Sequence, residues 1–246
     1  LYNSESCHAR IMKMPAKVLI AAIVEIAYAV FTRTWLHDQL NGATLELAVT
    51  AVRLVTVALY WALFRQVILS RIPRSGTVKL PLVIVGAACA LAIPFLFQGW
   101  SLGGGLGTAL VFALTSVVVG LREELLYRAV LINLLEPKIG TVNALLFSTG
   151  LFVIYHYGAL PTTVLVVTEV VCLSLVFGLI YVKSGTLVAV IAFHAVYDAI
   201  WCFGPYLAAP LPDIWRPAFL LPALIFVFLG TWRIGETSHE MQGAAQ

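Results

Sequence analysis

Long apolar stretches alternate with short polar ones along the whole of this chain. A helix needs about 20 mostly apolar residues to cross a hydrocarbon core about 30 Å thick. We identify eight such stretches, at residues 16–35, 44–69, 80–97, 106–135, 142–157, 162–182, 186–203 and 214–232. The pattern therefore predicts an all-α integral membrane protein of about eight transmembrane helices.

The connections between these stretches are short and rich in turn-forming residues. We expect a single eight-span domain at residues 16–233, with no inserted soluble domain and no internal repeat. Polar tails flank it at residues 1–15 and 234–246, and the first of them is interpreted as a frayed or vector-derived end.

Composition supports a membrane protein. Of the 246 residues, 61% are hydrophobic and 11% are charged, whereas a soluble domain has roughly 45–50% apolar and about 25% charged residues. This excludes a soluble globular enzyme, a disordered chain and a nucleic-acid-binding protein. The four cysteines include no CxxC pair, so a disulfide framework and a thiolate zinc site are not expected.

The positive charges between the predicted spans are unevenly distributed. With eight spans, both termini lie on the same side of the membrane. Ten Lys and Arg residues lie on that side, and two, Arg33 and Arg216, lie on the opposite side. Since Lys and Arg are enriched in cytoplasmic loops, both termini are predicted to be cytoplasmic. In a prokaryote this protein would lie in the cell (inner) membrane.

Ionisable residues inside the predicted spans are the first functional signal. Each costs roughly 2.5–3.5 kcal/mol near the bilayer centre, so each indicates a function or a pairing partner. Those that we assign to the membrane interior are Glu25, Arg53, Arg122, Glu123, Glu124, Arg128, His156, Glu169, His194 and Asp198.

The fourth span contains the sequence Glu-Glu-Leu-Leu-Tyr-Arg, residues 123–128. Glu124 and Arg128 are four residues apart, on one helix face, which favours an ion pair. Glu123 lies about 140° from Arg128 around the helix. We therefore expect Glu124 and Arg128 to support the structure and Glu123 to present a free carboxylate, while a purely structural set of two carboxylates balanced by Arg122 and Arg128 is the alternative.

Two further patterns place histidines in later spans. Phe152 precedes His156 by one helical turn, and His194 precedes Asp198 by one turn. Asp198 shares a helix face with His194, where it can orient the imidazole. A lone histidine near a span end is more often an interfacial group than a catalyst. His156 is therefore a catalytic candidate only in combination with the other two patterns.

Depth in the membrane brings these patterns together. Glu123 lies fifteen residues before Lys138, His156 fifteen after Thr141, and Asp198 fifteen after Lys183. At 1.5 Å per residue each is about 22 Å from the cytoplasmic end of its helix, and His194 is about 16 Å from it. Three helices are thus predicted to place two acids and two imidazoles in one layer. Glu169 has a similar depth, where it lines the same cavity or pairs with Arg53, and Glu25 is a second candidate partner of Arg53.

These three patterns, in this order on the fourth, fifth and seventh predicted spans, resemble the CPBP intramembrane proteases, which include the CAAX prenyl proteases and bacterial Abi-type proteins. The resemblance implies a glutamic-type endopeptidase. Glu123 with His156 would activate a water molecule, and His194 with Asp198 would stabilise the oxyanion. Supporting positions are then Glu124, Arg128 and Phe152, and candidate cavity-lining positions are Tyr127 and Glu169. The family often has Asn at position 198, so Asp198 is expected either to be protonated or to act by orienting His194.

Residue chemistry points to the same reaction class. Peptide hydrolysis needs a base for the water, a donor for the oxyanion and an acid for the leaving amine. No serine or cysteine beside these histidines forms a recognisable nucleophile motif, which favours direct attack by water. We expect no cofactor, and as partners the bilayer and a membrane-anchored or lipidated protein substrate, cleaved near its C-terminus or juxtamembrane region.

Three alternatives remain at this stage. In a zinc protease, His156, His194 and Glu123 would be the ligands, although no HExxH motif is present. A proton-coupled transporter would use the same acids and histidines as a relay, although the paired repeats typical of transporters are not evident. A catalytically silent scaffold is the third, and the intact set of acids and imidazoles argues against it.

Overall fold

The computed structural model of this chain describes residues 14–69, 99, 101, 105–157, 163–202, 214, 221 and 224–225. The regular elements in these ranges are helices, which confirms the predicted all-helical class. We number them α1 to α6 among the described residues.

The first two helices form a pair near the start of the described chain. Helix α1 comprises Met14–Val30, a π-helical segment Phe31–Leu36 and a last turn His37–Gln39. Helix α2 is Gly42–Leu69.

The other four helices contain every residue of the three sequence patterns. Helix α3 comprises Gly105–Glu124, a π-helical segment Leu125–Ile132 and Asn133–Ile139. Helices α4 and α5 are Thr141–His156 and Val164–Ser184. Helix α6 comprises Leu187–Tyr197 and a π-helical segment Asp198–Cys202.

Four of these helices are long and apolar enough to cross a membrane: Ala16–Gln39, Gly42–Leu69, Gly105–Ile139 and Val164–Ser184. Thr141–His156 and Leu187–Trp201 are shorter apolar helices. Six of the eight predicted spans thus coincide with described helices. The predicted span 80–97 lies outside the described residues, as do most of 214–232 and the tails, so the count of eight stays a prediction.

Local signals explain where α5 begins and ends. The Thr163 side chain accepts a hydrogen bond from the backbone N–H of Val166 at 3.3 Å, which caps the first turn. After Ser184 the chain turns at Gly185, whose φ of 66° lies in the left-handed region. The Gly185 N–H donates to the Tyr181 carbonyl at 2.8 Å and so satisfies one of the last carbonyls of the helix.

Helix α3 is the central helix of the described bundle. Its first half packs against α2 and α6, and its π-helical segment packs against α2 and α4, while α4 packs along α5. The largest fully buried apolar side chains include Tyr60, Phe64, Ile132 and Phe152. Large apolar side chains also cover the outer surface, as expected where lipid replaces water.

Gly120 allows α3 and α6 to approach closely. A Cβ atom at this position would lie 3.1 Å from the Ile191 carbonyl oxygen and 3.3 Å from both the Ala195 nitrogen and the His194 Cβ. Two of these neighbours are backbone atoms, which move only with the helix. Gly107, in the same helix, has no atom within 4 Å of the equivalent position.

We predict that Gly120→Ala destabilises the bundle and lowers activity, whereas Gly107→Ala does neither. The new methyl group forces α6 outward, and such overpacking costs about 1–3 kcal/mol. Thermal unfolding in detergent measures the first effect. Equal melting temperatures for the two variants would contradict the close packing of α3 on α6.

Candidate active site

Three consecutive residues of α3 point in three directions. Successive side chains of a helix are separated by about 100°. Arg122 therefore faces α1 and α2, Glu123 faces the two histidines, and Glu124 faces Arg128 and one of those histidines. All three side chains are buried.

Glu123 presents its carboxylate between two imidazoles. Its Oε2 atom lies 3.9 Å from Nε2 of His156 and 3.8 Å from Nε2 of His194. This oxygen is buried and has no direct hydrogen-bond partner among the described residues. Both separations exceed a hydrogen bond, and separations of this size are commonly bridged by water.

Glu124 binds a cation on one side and an imidazole on the other. Its Oε2 lies 3.0 Å from Nε of Arg128, which is the ion pair that the four-residue spacing predicts. Its Oε1 lies 2.7 Å from Nδ1 of His194. This second contact was not predicted, because the spacing does not give the rotation of α3 relative to α6.

Arg128 has further partners beyond Glu124. Its Nη2 donates to the backbone carbonyl and the hydroxyl of Ser174 on α5, both at 3.3 Å. Its guanidinium also lies 4.8 Å from the centre of the Phe152 ring, within the range of a cation–π contact. Arg128 thus connects α3 to α4 and α5.

His156 is the last residue of α4. Its Nδ1 lies 2.8 Å from the Phe152 carbonyl oxygen. A carbonyl only accepts hydrogen bonds, so Nδ1 carries the proton and Nε2, which faces Glu123, is an acceptor in the neutral ring. The Phe152 ring packs on the imidazole with centres 4.4 Å apart, which explains the aromatic residue one turn earlier.

His194 is held from three directions on α6. Glu124 binds its Nδ1, and Asp198 Oδ2 lies 3.5 Å from its Nε2. The Phe177 ring of α5 packs against the imidazole at 5.0 Å. The four-residue spacing of His194 and Asp198 keeps the two side chains on one helix face. Asp198 also begins a π-helical segment, a feature frequent at functional sites.

The structure thus brings together the four predicted catalytic side chains, Glu123, His156, His194 and Asp198, as their shared depth indicates. Tyr127 lies beside them and packs on Phe152 with ring centres 5.1 Å apart.

The structure shows partners for two of the other intramembrane charges, Glu169 and Arg53, that the sequence did not predict. Glu169 accepts a hydrogen bond from the Tyr197 hydroxyl. Arg53 lies 3.8 Å from Glu46 and donates to the Tyr28 hydroxyl at 3.0 Å.

Glu25, which was expected to serve Arg53, instead binds Arg122 at 2.5 and 2.6 Å. Arg122 is therefore paired with Glu25. It does not balance Glu123 or Glu124, as the purely structural interpretation of these charges assumed. Sequence spacing alone could not assign these partners, because it does not give the relative rotation of the helices. The presence of one acid on α1 and one arginine on α3 was the available signal.

A metal site is not evident in the part of the chain that the structure describes. No three histidine, cysteine or acidic side chains there are placed to hold a metal ion. The zinc alternative named His156, His194 and Glu123, and these residues are instead arranged with the acid between the two rings.

The comparisons with known proteins agree with the sequence patterns. Residues 105–200 match the family model described as type II CAAX prenyl endopeptidase Rce1-like. The matched segment runs from the start of α3 into the π-helical segment of α6 and contains every predicted site residue. No curated protein and no solved structure matches the chain.

The match confirms the predicted resemblance to the CPBP and CAAX protease family. Together with the four long apolar helices, it indicates an integral membrane protease.

We predict that Arg128→Ala lowers both stability and abundance, because it leaves the buried Glu124 carboxylate without its cation. Breaking a buried ion pair costs about 3–5 kcal/mol. Arg53→Ala is the comparison variant, since the Arg53 and Glu46 side chains are 17% and 23% exposed and 3.8 Å apart, against 1% and 0% exposed and 3.0 Å apart for Arg128 and Glu124, so its loss of stability should be smaller. Protein level and thermal unfolding of both variants measure the difference, and wild-type stability in Arg128→Ala would show that the pair is dispensable.

Proposed function

We propose that this chain is an intramembrane endopeptidase of the glutamic type. The family match over residues 105–200, which indicates a membrane protease, supports this proposal. Its substrate would be a membrane-anchored or lipidated protein, cleaved near its C-terminus or juxtamembrane region. The observation that carries the proposal is the buried Glu123 carboxylate, whose Oε2 lies 3.8–3.9 Å from both histidines.

The first step is the activation of water by Glu123 and His156. A water molecule about 2.8 Å from each atom spans the 3.9 Å between Glu123 Oε2 and His156 Nε2. Both atoms are acceptors, so this water donates one hydrogen to each and directs its lone pairs outward. It then attacks the scissile carbonyl while Glu123 takes a proton.

The second requirement is a donor for the oxyanion of the tetrahedral intermediate. His194 donates through Nδ1 to Glu124, and its Nε2 faces Glu123 and Asp198. As an imidazolium, His194 offers an N–H from Nε2 to the developing negative charge. The carboxylates around the ring supply the counter-charge, so Asp198 acts by orienting and balancing His194 rather than as a donor.

Collapse of the intermediate completes the reaction. The proton held by Glu123 passes to the leaving amine nitrogen, the C–N bond breaks, and a free carboxylic acid and an amine result. Glu124 has no direct part in this sequence. It is a positioning residue, because it sets the direction in which His194 presents Nε2.

The name of the matched family supports a lipidated substrate. That family is described as a prenyl endopeptidase, and a prenyl group holds a C-terminal peptide at the membrane. A scissile bond in a helix is shielded by neighbouring turns, so the substrate must present an extended segment. We place both termini of the enzyme in the cytoplasm on the basis of the charge asymmetry.

We predict that Glu123→Gln reduces peptide cleavage by at least about a hundredfold, because the amide cannot take a proton from water. Mass spectrometry of membrane-protein C-termini compares cells that carry the wild type or the variant. Fragments that appear only with the wild type also identify the substrate.

Glu46→Gln is the matched control for this experiment, since Glu46 is also a membrane acid but contacts Arg53. Normal cleavage by a folded Glu123→Gln protein would rule out the proposed base. Matching C-terminal profiles in all three strains would lead to measurements of proton flux in liposomes, which test the transporter alternative.

Metal removal gives a further test. We predict that dialysis of the purified protein against a strong chelator changes the cleavage rate by less than about twofold, because water is activated by Glu123 and His156. A loss of activity that added Zn²⁺ restores would instead support a metal-activated water.

A further inference from the structure

We propose that α1, which lies outside the family-matched segment, positions the catalytic His156 by binding the end of α4 at two points. The residues that do so are Arg33, at the backbone, and Glu25, which acts through Arg122 on the Tyr155 hydroxyl. The proposal rests on the proposed function, since it assigns positioning residues to the same site.

The first contact point is the C-terminal end of α4. The last carbonyls of a helix have no partner within it. Arg33 donates to the Tyr155 carbonyl at 2.8 Å and to the Tyr157 carbonyl at 3.4 Å, so it binds the residues on both sides of His156. A cation also interacts favourably with the negative end of the helix dipole.

The second contact point is the Tyr155 side chain. Arg122 donates to the Tyr155 hydroxyl at 3.1 Å, and the same guanidinium binds both oxygens of Glu25 on α1. Tyr28 packs under this guanidinium at 3.9 Å. Glu25 also accepts a hydrogen bond from Tyr60. The Tyr155 hydroxyl is therefore connected to α1 through a buried ion pair.

Tyr155 connects both contact points to the His156 imidazole. It precedes His156 directly, and its ring meets the imidazole edge-on, with centres 5.1 Å apart and planes at 88°. The Arg33 guanidinium also lies 5.2 Å from the centre of the Tyr155 ring. His156 is still 20% exposed, so burial alone does not fix its position.

Polar contacts, rather than apolar packing, set the position of α1 along the bundle. In the most apolar stretch of this helix, only 17% of the residues are buried. Lys17 makes a third polar contact, donating to the Leu63 carbonyl of α2 at 2.8 Å. Lys17 holds α1 to the bundle without touching α4, whereas Arg33 contacts α4 directly.

The comparison of Arg33 with Lys17 separates positioning from simple docking of α1. We measure kcat, KM and melting temperature for Arg33→Ala, Arg33→Lys, Tyr155→Phe and Lys17→Ala in the full-length protein in bilayers. We expect Arg33→Ala to lower kcat about tenfold to a hundredfold, as misplacement of a catalytic group by about 1 Å does. KM should stay within about twofold, because substrate contacts are unchanged.

The other variants complete the test. Lys17→Ala is expected to keep the wild-type kcat, Arg33→Lys to recover part of it, and Tyr155→Phe to lose activity through the missing Arg122 contact. Tyr155→Phe removes one oxygen atom, so it remains informative if Arg33→Ala does not fold. Wild-type kcat in both Arg33→Ala and Tyr155→Phe would overturn the proposal, and so would an equal loss in Lys17→Ala and Arg33→Ala.

Glu123→Gln distinguishes this proposal from the function on which it rests. An active Glu123→Gln protein would contradict the glutamic mechanism itself. An inactive Glu123→Gln protein beside fully active Arg33 and Tyr155 variants would overturn only the role of α1.

Discussion

The arrangement of the site depends on the pairing of one buried anion, the Glu124 carboxylate. Moving such a charge out of water costs several kcal/mol, so it must be matched by a cation or by hydrogen bonds. Arg128 supplies the cation from the same helix, and His194 supplies a donor from α6. Because the imidazole gives Nδ1 to this anion, its Nε2 is directed at Glu123. In the proposed mechanism, a structural requirement thereby sets the direction in which the ring presents its Nε2 atom.

The same principle organises a second cluster on the opposite side of α3. Arg122 is as deeply buried as Arg128 and is balanced by Glu25 from α1. One helix thus carries two arginines with separate acid partners, and Glu123 lies between them in sequence without an arginine of its own among the ion pairs of the described residues. Pairing each arginine elsewhere leaves the Glu123 carboxylate available to water.

Periodicity within one helix was enough to predict the Glu124–Arg128 pair, and depth along several helices was enough to bring Glu123, His156 and His194 together. Both arguments use only the geometry of each helix taken singly. The partners of Glu25 and Arg53 depend instead on how neighbouring helices are rotated about their axes, which hydropathy does not encode. The contact between Glu124 and His194 was not predicted for the same reason, because the spacing is compatible with several other contacts of Glu124.

In the proposed mechanism, the contrast between two neighbouring glutamates explains why Glu123, and not Glu124, moves the proton. Glu124 touches the guanidinium of Arg128, whose charge is permanent in proteins, and the two groups form a buried ion pair. Glu123 has no arginine partner among the ion pairs of the described residues and faces two imidazoles instead. A base that must take a proton from water and deliver it to an amine has to be free of such a permanent partner. The chemistry of the partners, more than the identity of the acid, thus assigns the roles.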